Sequence, residues 1–76
     1  MGVHAHRCFL SMIVTDKEKN DTYQTTEHSS QSSALYQMKR VLDKGFRIKY
    51  HAIGLTKIES ERLLAHKVGG TYGKEI

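Results

Sequence analysis

The residues with the most reactive side chains stand near the start of the sequence, where His4, His6 and Cys8 alternate and an extended chain would point two imidazoles and a thiol to one side. Those groups ligate zinc or copper. The end of a chain holds tetrahedral geometry poorly, no carboxylate stands nearby to orient the imidazoles, and Cys8 belongs to an apolar strand face. No metal is therefore assigned, and no cofactor. As a nucleophile, Cys8 would need exposure, a base in reach and a lowered pKa, and His28, His51 and His66 are scattered along the sequence. Glu59 and Glu61 point apart on a helix, and Glu59 has the spacing of a cap. These residues give no basis for an enzyme.

Two other patterns are bare matches. Gly69-Gly70-Thr71-Tyr72-Gly73-Lys74 is one residue short of a phosphate-binding loop and has Glu75 where the hydroxyl residue belongs. The opening MGVHAH starts like a myristoylation signal but carries His6 in place of Ser or Thr.

Charge is the informative asymmetry. Twelve Lys and Arg against eight Asp and Glu give +4, yet residues 1–38 sum to −1 and residues 39–76 to +5. The densest stretch holds Lys39, Arg40, Lys44, Arg47 and Lys49 against Asp43 alone, and it suits phosphates or an acidic protein surface.

The elements that would position these groups follow from periodicity. Cys8, Leu10, Met12 and Val14 alternate as the apolar face of a strand over residues 7–15, and DKEKND forms the turn into a weakly apolar second strand over 22–28. Ser29 to Ser33 supplies N-caps for a helix whose apolar positions are Leu35, Met38, Val41 and Leu42. Gly45 is placed to end that helix in a Schellman motif, with Phe46 falling back on Val41. Phe46, Ile48, Tyr50 and Ala52 then alternate with Arg47, Lys49 and His51 along a third strand closed by Gly54. Thr56 and Glu59 have capping-box spacing and open a second helix at Lys57, with Ile58, Leu63, Leu64 and Val68 as its apolar set.

The expected architecture is α+β: a small antiparallel sheet with helices on one face, in the order β-β-α-β-α. Residues 1–68 form one domain and residues 69–76 a flexible tail. In that arrangement the second sheet face is bare, and Phe9 and Ile13 stand out of it beside Arg47, Lys49 and His51 as a contact surface. Leu42 and Phe46 are expected in the core.

Cations for phosphates and Phe9 for base stacking suggest a non-enzymatic nucleic-acid-binding module, similar in style to sheet-face RNA binders but without their glycine and aromatic signature. The alternative is a protein-binding inhibitor or adaptor, a homodimer in which Phe9 and Ile13 make the contact and the cations form its rim. In size and in its lack of proline the chain looks like many phage or mobile-element accessory proteins. With no apolar run of about 20 residues and no secretory signal, a cytoplasmic protein away from the membrane is expected.

Overall fold

The computed structural model describes residues 7–69 of the 76-residue chain. His4, His6 and the tail beyond Gly69 lie outside the described residues, so the expectations placed on them are not addressed by it.

The element order is β1 (Cys8–Thr15), β2 (Asp21–His28), α1 (Gln31–Asp43), β3 (Arg47–Gly54) and α2 (Lys57–Lys67), an α+β fold with a three-stranded antiparallel sheet. Local chemistry sets each boundary. In the β1–β2 turn, Asp16 Oδ1 accepts from the amides of Glu18 and Asn20, both at 2.9 Å, so one carboxylate organises the hairpin. Ser30 caps α1 by accepting from the Ser33 amide at 3.1 Å. The helix ends in the expected Schellman motif: the Gly45 amide donates to Leu42 O at 3.0 Å, the Phe46 amide donates to Val41 O at 3.4 Å, and Gly45 takes φ +92. Thr56 Oγ1 accepts from the Glu59 amide at 3.0 Å. The Glu59 carboxylate reaches one residue further back than in a standard capping box, accepting from the Leu55 amide at 2.6 Å.

β1 is the middle strand, antiparallel to β2 on one side and β3 on the other. Its register with β3 slips once: Ile13 faces Tyr50, while Val14 faces Ile48, so Lys49 is the extra residue of a β-bulge. A bulge resets the in-out alternation. Ile48 therefore packs in one core and Tyr50 and Ala52 in the other, whereas an unbroken strand would have put all of them on one face.

The helices lie on opposite faces of the sheet, which corrects the expectation of helices on one face. Cys8, Leu10, Met12 and Val14 form the first core with Ala34 and Val41 of α1, flanked by Met38, Phe46, Ile48 and Ile53. Ile13 and Ala52 form the second with Leu64 of α2, flanked by Tyr23, Tyr50 and Val68. Small residues let α2 sit close. A β-carbon added to Gly54 would fall 2.6 Å from the Ser60 amide nitrogen, so glycine is required where the first turn of α2 crosses β3.

Two helix faces also differ from their reading. Ala34, Met38 and Val41 face the sheet, and Leu35 and Leu42 are 51% and 52% exposed on the flank of α1. In α2 only Leu64 of the apolar set is fully buried, with Val68 partly so, while Ile58 and Leu63 are 66% and 40% exposed. Thermal and urea denaturation will separate these roles: Leu64→Ala should cost about 2–5 kcal/mol and Leu42→Ala about 1 kcal/mol or less. Equal losses would contradict this rotation of the helices.

Candidate functional site

The candidate surface read from the sequence is divided by the fold. Ile13 is 4% exposed beneath α2, and Phe9 is half-buried opposite Gly54 at the far end of the sheet from Arg47. Neither can offer an open stacking platform, because α2 covers the face they point from. The bulge breaks the row of Arg47, Lys49 and His51. Arg47 faces Thr15 and His51 faces Met12, positions on opposite sides of β1.

The remaining cations separate according to their partners. Lys39 Nζ pairs with Asp43 at 3.0 Å along α1, and Lys49 Nζ reaches Asp21 across the sheet at 2.9 Å. The Lys49 ammonium and a hydrogen bond from Thr15 hold the Asp21 carboxyl below its ordinary pKa, while Asp21 raises that of Lys49. Both residues are at the surface, where such a pair contributes little to stability. Arg7 pairs with Glu27 at 2.8 Å. Arg40, Lys44 and Arg47 are exposed and have no carboxylate partner among the described residues.

Around Arg47 the fold assembles a site that is not contiguous in sequence. Thr15, Asp16, Lys17, Lys19, Gly45 and Arg47 line a cleft of about 420 Å³ at the turn end of the sheet. Lys17 and Lys19 come from the β1–β2 turn, Arg47 from the start of β3, and Lys44, the C-cap of α1, stands beside Gly45. The Lys17 side chain lies along Gly45, its Cε 2.8 Å from where a β-carbon would stand. Three cations and the Asp16 carboxylate thus line the cleft; Asp16 Oδ1 is held by the turn amides, and the site keeps a net positive charge. Lys17 and Lys19 are inconspicuous in the sequence because they alternate there with acids, and the turn is what aims them toward Arg47.

Other groups with possible chemistry have structural partners. Cross-strand pairing sets His28 beside Cys8, yet the His28 ring nitrogens lie 2.6 Å from Thr26 Oγ1 and 3.3 Å from Ser33 Oγ, and the thiol is 4% exposed. Under α2, Ser11 Oγ lies 2.8 Å from both Ser60 Oγ and Thr25 Oγ1, and Tyr23 donates to the Glu61 carboxylate. Burial first, then the bond to Glu61, raises the Tyr23 pKa. This chain of hydroxyls satisfies the polar atoms between helix and sheet. No group of three or more His, Cys, Asp or Glu able to hold a metal occurs among the described residues. No described helix is long and apolar enough to cross a membrane.

No protein-family model, curated protein or solved structure matches this chain. The functional reading therefore rests on the geometry itself.

His51 gives this geometry a measurable pH dependence. Burial, and secondarily the charge of Lys67, lower its pKa below the ordinary 6.5. The folded state thus favours neutral imidazole, so stability is present above pH 6.5 and is lost as pH falls through the folded pKa. Melting temperature should fall between neutral pH and the His51 pKa, and His51→Gln should reduce that fall; an unchanged slope in the variant would assign it to other groups.

Proposed function

We propose that this chain is a small, non-enzymatic nucleic-acid-binding module that grips phosphates at the turn end of its sheet. The observation that carries the reading is the cleft where Lys17, Lys19 and Arg47 converge with no ion-pair partner among the described residues. A phosphate backbone is a repeating anion. Binding it needs cations held at a fixed spacing, and here two strands and a turn hold them. Arg47 can meet a phosphate with two parallel N–H bonds, whereas each lysine acts as a point charge.

Of the residues that stand out in the sequence, Arg47 and Lys44 stay in this reading, with Arg40 on the adjoining last turn of α1, while Lys39 contributes less because Asp43 pairs with it. Lys49 contributes less because Asp21 neutralises it, and His51 faces the other side. Phe9 and Ile13 leave it. Without their stacking surface, contacts are mainly to backbone, which favours affinity over base discrimination. The same cations would also meet an acidic protein surface. Exposed Leu35, Leu42 and Leu63 favour a protein contact as well, though they lie on the flanks of the helices and away from the lining of the cleft.

Titration of labelled single-stranded and duplex oligonucleotides across a salt series tests the reading. Log affinity should fall linearly with log salt, and neutralising Lys17, Lys19 and Arg47 together should flatten the slope by roughly 0.7–0.9 for each phosphate that no longer meets a cation. Lys57→Gln, at the Gly54 end of the sheet, should leave the slope unchanged. No binding by the wild-type protein at low salt overturns the reading, and an equal effect of Lys57→Gln removes the cleft from it.

A further inference from the structure

The sheet has β2 on one edge and β3 on the other, and the two edges are dressed differently. Hydrogen bonds fix which flank of each helix faces which edge. Ser33 of α1 reaches His28, and Glu61 of α2 reaches Tyr23 and Thr25, so these polar flanks lie over β2. At about 100° per residue, Leu35 lies on the far side of buried Ala34 from Ser33, and Leu42 follows it two turns later on the same row. That row faces β3. On α2, Lys67 donates to the His51 carbonyl of β3 at 2.6 Å, and Leu63, one turn earlier, shares its flank. Leucines exposed by 40–52% thus border β3 from both faces of the sheet, while Ser33 of α1 and Glu61 of α2 border β2, with the exposed Ile58 the one large apolar group on that flank of α2.

We propose that β3 is a homodimer interface, pairing antiparallel with β3 of a second copy to make a continuous six-stranded sheet. The occupant is argued from self-complementarity. A two-fold axis normal to the sheet keeps each helix on its own face, so α1 lies antiparallel beside its copy with Leu35 of one against Leu42 of the other, and Leu63 approaches its own equivalent. Spacing permits this. Both helices pack chiefly toward β3. With strands about 4.8 Å apart, a helix seated over the β1–β3 pair comes roughly 10 Å from its copy, near the usual helix-packing distance.

Charge permits it too. Pairing centred on His51 sets it opposite its own copy, with Tyr50 opposite Ala52 and Lys49 opposite Ile53, so no lysine or arginine of the strand meets another directly across the seam. A two-fold copy supplies a matching leucine row on both faces at once. A foreign strand would have to bring both rows.

Sedimentation velocity over a concentration series tests the proposal, and the expected species has twice the 8.7 kDa chain mass. L35D/L42D and L63D should each weaken the dimer by about tenfold or more while the circular dichroism spectrum is kept. I58D, on the Glu61 flank of α2, should not weaken it. A protein monomeric up to millimolar concentration overturns the proposal, as does a dimer indifferent to the leucine variants or equally sensitive to I58D. If those variants fail to fold, hydrogen exchange of the wild-type chain decides: β3 amides should exchange more slowly as concentration rises and β2 amides should not, and the reverse pattern overturns it. None of these readouts involves nucleic acid, so the result is independent of the phosphate-binding reading.

Discussion

The close seating of α2 on the sheet is the contact on which the rest of the molecule depends. It is made largely of small groups: Ser11 and Ser60, both fully buried, lie 2.8 Å apart, and Gly54 and Ala52 give the helix room to approach. A hydroxyl buried here with no partner would carry a desolvation cost of about 1–3 kcal/mol, and each has two partners, since Ser11 also bonds Thr25 and Ser60 donates to the Lys57 carbonyl at 3.0 Å. Paired, and linked through Thr25 to Tyr23 and Glu61, they become the polar centre of an otherwise apolar contact. Because α2 closes over this face, β1 is covered on both sides and Ile13 becomes a core residue.

That two-sided burial explains the division of the hydrophobic material. A chain of this length has few large apolar residues, and the fold divides them between two thin cores on either side of β1. Placing the bulge at Lys49 makes the division possible within β3, because Ile48 can serve the α1 side while Tyr50 and Ala52 serve the α2 side. The extra residue is a lysine whose long side chain runs out to Asp21, so the irregularity buries no charge.

What could be read in the sequence follows the range of the forces involved. Caps, the Schellman ending and the strand segments depend on residues within about four positions of each other, and Ser30, Gly45, Thr56 and Gly54 all act close to where local chemistry put them. Helix rotation depends on what lies opposite. Leu35 with Leu42 and Ala34 with Val41 both fit helical spacing, and the smaller set won because it allows α1 to pack closely on β1. One signal does stand in the sequence: CFLSMIV is apolar at Phe9 and Ile13 as well as at the alternate positions, which is the pattern of a strand buried on both faces. The bulge leaves no such trace, since its register is set by β1. Lys17 and Lys19 are hidden for a related reason, because their convergence on Arg47 exists only once the hairpin and β3 are aligned.

The separation of the basic cleft from the apolar edge has its own electrostatic consequence. The cleft lies at the end of the strands, beside Arg47, while the leucines run along the side of β3. In an antiparallel pair of copies, the Arg47 end of one β3 meets the Gly54 end of the other, so the two clefts stand apart by about the length of an eight-residue strand. At about 3.4 Å per residue that is roughly 27 Å. The Debye length at physiological ionic strength is about 8 Å, so the clefts repel one another very little there. A chain whose second half carries +5 can therefore self-associate along β3 without forcing its unpaired cations together, and each copy keeps its cleft open to solvent.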